Sequence, residues 1–375
     1  DVPVGLFLSG GIDSSAIAAS VGQNHGRELN SFAAEFDFSG STSELKKAAL
    51  VARSFNLRHS DIKISGNDLS STILEMSKAH DEPFADAANL ALYSMCKQLP
   101  DNIKVVLQGD GGDELFGGYR RYAMLRNSKL WRAFPQFLAR GIHSLGSKGR
   151  RFSRMVDTLR HEDPALVMAF LLTIETNRLP PERFFTKEKS DYLHNTTDPF
   201  IAYRHANDRF KDHDIVQKML LTDLTTQLPS QFLPKVDRAT MAAGIEARVP
   251  FLDESLVKLA INIPSQWKTQ GVEKKIILRD SQRSRLPKSI LDGPKSGFGV
   301  PYQQWLRTSL YEFARETILD SSTISRWSLD ASALEVALSE HKRGDFDHGF
   351  ILWKVLQLAL FNPSANSLPS RHTAN

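Results

Sequence analysis

The chain holds 375 residues, 41% of them hydrophobic, with 47 Lys and Arg against 43 Asp and Glu for a net charge of +4. That is long enough for a sizeable globular core, and so nearly balanced a charge gives little support to a polyanion partner. One cysteine, Cys96, excludes an internal disulfide framework and fits a reducing, cytoplasmic setting, while the longest apolar run, residues 166–174, is too short to span a bilayer and reads as a core helix.

Residues 1–9, DVPVGLFLS, are apolar and rich in β-formers, which predicts a buried parallel strand; the run breaks directly into Gly10-Gly11-Ile12-Asp13-Ser14-Ser15. The glycines let a ligand approach the backbone, and Ser9, Asp13, Ser14 and Ser15 sit where free N–H groups and the positive end of a helix gather. Such a loop suits an anion. A Walker A loop needs a Lys after the glycines and a dinucleotide loop needs G-x-G-x-x-G; neither pattern is here. What remains, S-G-G-x-D-S, resembles the pyrophosphate loop (PP-loop) of the ATP pyrophosphatases, which implies ATP. The plainer alternative is a Gly-Gly turn before a serine-capped helix.

After a helix reaching about residue 23, strands are predicted at 31–36, 59–64 and 103–108. Between them lie helices at 44–55, with Leu45, Ala48, Ala49, Ala52 and Phe55 on one face, at 69–79, and at 89–97, where Cys96 reads as a buried thiol. This alternation predicts an α/β fold: a parallel twisted sheet with flanking helices, binding ligands beyond its C-terminal strand ends. From Tyr119 onward helical patterns dominate, so the expected organisation is an α/β nucleotide-binding core at 1–125, a mainly helical part at 126–362 and a frayed polar tail at 363–375. Residues 120–160 carry eleven Lys or Arg against one acid, Asp157, interleaved with Tyr122, Trp131, Phe134, Phe137 and Phe152. They read as a solvated basic helix with its aromatics in the core, so no nucleic-acid partner is expected.

The strand at 103–108 runs into a second loop, GDGGDELFGGY at 109–119, too rich in glycine and carboxylate for a core. If it adjoins the first loop, Asp13 and Asp113 share a Mg²⁺ held on the phosphates of ATP; otherwise it is an ordinary acidic turn.

Together SGGIDSS, GDGGDELFGGY, LPKVDRATMAAGIEARVPFLD at 233–253, KIILR at 275–279, KSGFGVP at 295–301 and HKRGDFDHGFILW at 341–353 resemble the synthetase domain of the glutamine-dependent asparagine synthetase family over nearly the whole chain. The resemblance implies a substrate carboxylate attacking the α-phosphorus of ATP, release of pyrophosphate, and attack of ammonia on the acyl-adenylate. By position, Lys275 and Lys295 match the two lysines the family brings to the α-phosphate and the intermediate. Asp110 matches the acid beside the acyl-adenylate, where it orients the amine and takes its proton. Leu8, Ala34, Gln108 and Gly109 match positions whose main chain or close packing recognises the nucleotide. Residues 235–238, with Glu246 and Arg248, are read as scaffold rather than substrate wall. The implied partners are a small-molecule carboxylate, ammonia and a glutaminase domain, and a homodimer is compatible with the family.

Two departures bear on the substrate. Asp110 stands where well-studied asparagine synthetases have Glu, and DEPFADAANLALY at 81–93 lacks the Arg they place there. Asparagine synthesis from aspartate is therefore expected first, with a uronic-acid sugar of a surface polysaccharide or a secondary metabolite as the alternative carboxylate. A tRNA-modifying pyrophosphatase, or a nucleotide-binding module without turnover, are the competing readings. The chain opens on a core strand with the family's glutaminase domain and its N-terminal Cys absent, so a fragment of a longer protein is expected.

Overall fold

Strand β1 (Val4–Phe7) lies at the centre of a five-stranded parallel sheet of order β3-β2-β1-β4-β5. The structure, a computed structural model, describes residues 2–24, 29–36, 42–64, 68–133, 135, 146–172, 181–293 and 300–361. From β1 the chain passes through α1 (Ile12–Asn24) to β2 (Asn30–Phe36), then through α2 (Thr42–Ser54) to β3 (Arg58–Ile64). Helices α3 (Leu69–His80) and α4 (Ala88–Cys96) lead back to β4 (Val105–Leu107) on the other side of β1. Gly5 therefore pairs with Asn30 on one side and Val106 on the other. The strand order reverses between β1 and β4, and a crevice opens beyond their C-terminal ends, where both glycine loops emerge.

Alternation along β1 divides the core. Leu6 and Leu8 pack with Ala16, Ala48, Val51 and Ala52 of α1 and α2, whereas Phe7 packs with Phe32, Ile73, Met76, Leu92 and Met95 on the α3 and α4 face. Each Leu, Val, Ile, Phe or Met side chain among these, taken fully out of water, contributes about 1.5–3 kcal/mol. Cys96 belongs to the second cluster, and burial pushes its thiol up to about 12.

The four predicted strands and the helices between them are present. The fifth strand, β5 (Glu246–Arg248), pairs with β4 and falls inside the stretch read as scaffold; it is three residues long with Glu246 and Arg248 exposed, so it carries no apolar signal. A two-stranded hairpin of β6 (Thr269–Gln270) and β7 (Glu273–Lys274) follows.

The basic segment is only partly the solvated helix expected. After the short helix α5 (Gly112–Phe116), helix α6 (Arg120–Arg126) buries Tyr122 and Leu125 against Val216, Met219 and Leu220 of the helix Ile215–Thr225. Arg121 turns inward, 2.7 Å from the fully buried carboxylate of Asp223, which also accepts from the Tyr122 hydroxyl at 2.6 Å. Trp131 and Phe152 meet edge to face at 5.8 Å, while Phe134 and Phe137 lie outside the described residues. In the apolar run, the helix Pro164–Phe170 buries Val167, Met168 and Ala169.

The motif at 341–353 joins two C-terminal helices, Ala331–Arg343 and Gly349–Leu360: buried His341 meets the Gln303 carbonyl at 2.9 Å and His348 meets Glu340 at 2.6 Å. Among the described residues no helix is long and apolar enough to cross a membrane. The tail at 363–375 lies outside them.

Candidate active site

The first glycine loop is shaped from within. Gly10 has φ +69, and a Cβ there would lie 2.5 Å from Lys47 Cβ and 2.8 Å from the Ala48 nitrogen, so only glycine lets α2 pack this closely. The Gly11 N–H donates to Ser9 Oγ at 3.2 Å and the Ser9 N–H to Ser14 Oγ at 3.3 Å. Ser15 sits behind the loop, fully buried, its hydroxyl without a partner among the described residues.

The second loop lies directly against the first. A Cβ on Gly109 would be 3.0 Å from Asp13 Cβ, and one on Gly112 would be 2.5 Å from Asp13 Oδ1. The expectation that the loops adjoin is met, and a lysine joins their acids. Lys275 Nζ lies 2.5 Å from Asp13 Oδ1 and 2.6 Å from Asp113 Oδ1. Burial opposes the ammonium charge, but the carboxylates of Asp13 and Asp113 outweigh it and hold the Lys275 pKa above the ordinary lysine value. Lys275 adopts φ +54 at the N-terminus of the helix Ile276–Ser281, a left-handed conformation that costs a non-glycine residue on the order of 1 kcal/mol and persists only where surrounding contacts hold it, here the two carboxylates.

Around this triad is a cleft of about 400 Å³. It is lined by Leu8, Ser9, Gly10, Gly11, Asp13, Ser14, Ala34, Gln108, Gly109, Asp110, Asp113 and Lys275. Of the expected site residues, Ser15 is not in its wall and Lys295 lies outside the described residues. Phe7, Phe32, Leu92 and Met95 add an apolar surface. Gln108 is buried with its Nε2 lacking a hydrogen-bond partner among the described residues. An orphaned donor, an apolar surface and a glycine loop in one crevice fit a nucleotide.

The cleft also holds residues that the sequence did not assign to the site. Lys235, read there as scaffold, stands in the wall, 3.7 Å from Asp86 Oδ2 and 4.9 Å from the Phe232 ring centroid. Burial pushes the Asp110 carboxyl up, with the Lys235 ammonium working against that rise. Glu114 is buried, and burial lifts its carboxyl to about 7 even though the Tyr119 hydroxyl donates to Oε1 at 2.6 Å. Tyr119 in turn lies under the Arg121 guanidinium at 3.8 Å. Only a glycine-rich context hinted at Glu114; a lysine on a predicted helix gives no signal of its own.

No group of three or more His, Cys, Asp or Glu able to hold a metal is found among the described residues. The carboxylates of Asp13 and Asp113 are hard oxygen donors, of the kind that suits a divalent cation drawing its remaining ligands from phosphate.

A parallel α/β sheet with an anion loop after β1 and an acidic loop after β4, facing each other where the strand order reverses, defines a nucleotide-binding fold of the PP-loop type. The chain belongs to the asparagine synthase family, whose model matches residues 1–362. It is 32% identical over 372 residues, 96% of this chain and 54% of the relative, to a Mycobacterium tuberculosis protein provisionally named asparagine synthetase (glutamine-hydrolyzing). It is 29% identical over 360 residues to asparagine synthetase (glutamine-hydrolyzing) 1 of Bacillus subtilis, 95% of this chain and 55% of that one. An amidase of Gibberella zeae is 21% identical over 400 residues, covering 96% of this chain and 58% of its own length. The chain thus spans about half the length of the curated relatives it matches.

Proposed function

We propose that the chain is an ATP-dependent amide-forming ligase that adenylates a substrate carboxylate and transfers ammonia to it. The observation that carries this reading is the clamp of Lys275 between Asp13 and Asp113, where two glycine loops meet at the strand-order reversal in a chain of this family. In the first step a carboxylate oxygen bonds to the α-phosphorus and the bond from that phosphorus to the bridging oxygen breaks, releasing pyrophosphate. Main-chain N–H groups around Gly10 and Ser14 receive the pyrophosphate, and Lys275, shared with the two carboxylates, neutralises charge growing on the phosphate oxygens. Lys295, by its place in the family motif, does the same for the intermediate. Mg²⁺ held by Asp13 and Asp113 supplies further neutralisation when bound. In the second step ammonia attacks the acyl carbon, the carbon–oxygen bond to AMP breaks, and Asp110 accepts the proton lost from nitrogen. The backbone at Leu8, Ala34, Gln108 and Gly109 frames the nucleotide.

Aspartate is the favoured substrate. The 81–93 stretch lacks an Arg for its α-carboxylate, but Lys235 supplies a cation in the same cleft as Asp110. Another carboxylate, such as a uronic-acid sugar, is the second reading, favoured by Asp110 standing where the resemblance calls for Glu. Ammonia comes from a glutaminase domain or from solution. Pyrophosphate release from ATP and Mg²⁺ with ammonia, measured across aspartate, other amino acids and uronic acids, tests this. Release driven by aspartate alone makes the activity asparagine synthesis; release with a different acid alone transfers the mechanism to that acid; silence across the panel refutes the ligase reading.

A further inference from the structure

We propose that Lys47 is a further pyrophosphate-binding residue, its ammonium pairing with the β- and γ-phosphate oxygens of ATP; this rests on the adenylation reading above. Helix α2 contacts the glycine loop at this residue, where a Cβ on Gly10 would meet Lys47 Cβ at 2.5 Å. The Lys47 side chain lines the cleft, and its Nζ would lie 3.3 Å from a Cβ built on Gly293, another lining residue. The side chain thus starts against the anion loop and carries its ammonium to the facing turn. It is half-buried, and among the described residues it has no ion pair or hydrogen bond. Its neighbour Lys46, one step around the helix, is exposed.

The charge balance of the loop leaves a place for this cation. Lys275 is shared with Asp13 and Asp113, and the Gly11 N–H donates to Ser9 Oγ, so these groups meet the phosphate charge only in part. An incoming polyphosphate at the Gly10 side therefore finds in Lys47 an adjacent ammonium that has no acid partner among the described residues. A phosphate oxygen arriving there gains a charge-assisted hydrogen bond from this half-buried ammonium.

Calorimetric titration of the full chain with pyrophosphate and, separately, with AMP tests the assignment. Lys47→Met keeps the stem that packs on Gly10 and removes the charge. It is expected to weaken pyrophosphate binding about tenfold to a hundredfold, the range of one lost charge-assisted contact, while AMP affinity stays within about twofold. Lys47→Arg should restore most of the loss, and Lys46→Met should match the unmodified chain. Equal pyrophosphate affinity in Lys47→Met and the unmodified chain overturns the role of Lys47 and leaves the ligase reading standing. Failure of the unmodified chain to bind pyrophosphate overturns both.

Discussion

Lys275 places its ammonium 2.6 Å from Asp113, with Asp13 on its other side, so the two glycine loops are tied through one buried cation. The loops follow neighbouring strands, but adjacency alone would bring two carboxylates together, and like charges at that spacing repel. Lys275→Met should therefore act on both fold and chemistry. Loss of one partner from a buried ionic group costs about 3 kcal/mol or more, and adenylation should fall to background. Urea unfolding and pyrophosphate–ATP exchange read the two effects. A variant with native stability and normal exchange would refute the clamp.

Gly118 has no room for a side chain. A methyl group there would overlap Asp113 Oδ1 and Lys275 Cε, so Gly118→Ala must push the pair apart. Because the obstructing atoms belong to the buried pair itself, the fold should lose about 3 kcal/mol while exchange drops at least about a hundredfold, since misplacing a catalytic group by about an ångström has that effect. Retained exchange would mean that the Lys275–Asp113 spacing is not needed.

Much of this arrangement was legible before the fold was known, and what was hidden has a physical reason. Strands β1 and β4 announce themselves because strands buried on both faces are nearly continuous in β-branched and apolar residues, edge strand β3 shows only the alternation of Ile62 and Ile64, and the loops stand out because close backbone approach demands glycine. Strand β5 was invisible: at the sheet edge it shows Glu246 and Arg248 to solvent and is recognised only by its pairing with β4. Lys47 was equally hidden, since a lysine in a helical pattern looks solvated until its packing partner, here Gly10, is known, and Lys235, read as scaffold, shows its place in the cleft wall only once Phe232 and Asp86 are located beside it. Arg121 looked like one of many basic surface groups, yet it neutralises buried Asp223, a contact made by a helix far along the chain.

Lys235 separates the substrate readings. If it pairs with the α-carboxylate of aspartate, Lys235→Ala should raise KM for aspartate about tenfold to a hundredfold with little change in KM for ATP. If Lys235 serves only to balance Asp86, the variant should instead lose stability and leave KM unaltered. Steady-state kinetics with the thermal midpoint measured in parallel distinguishes the two.

Glu114 should make stability depend on pH in a defined direction. Burial raises its carboxyl from the ordinary 4.5 to about 7 in the folded chain, so between those values the folded state holds a proton that the unfolded state has lost. Its contribution is accordingly most favourable below pH 4.5 and declines as pH rises to about 7, above which the buried carboxylate costs about 3 kcal/mol. Glu114→Gln keeps an acceptor for the Tyr119 hydroxyl and removes the ionisation. The variant should therefore gain stability relative to the unmodified chain as pH rises, with a small difference at pH ~5 and about 3 kcal/mol at pH ~8, read by urea unfolding at both values. Asp223 and the other buried acids are common to both chains and cancel in the comparison. An identical difference at the two pH values would show that Glu114 ionises normally, and that its contact with Tyr119 is an ordinary hydrogen bond to a solvated carboxylate.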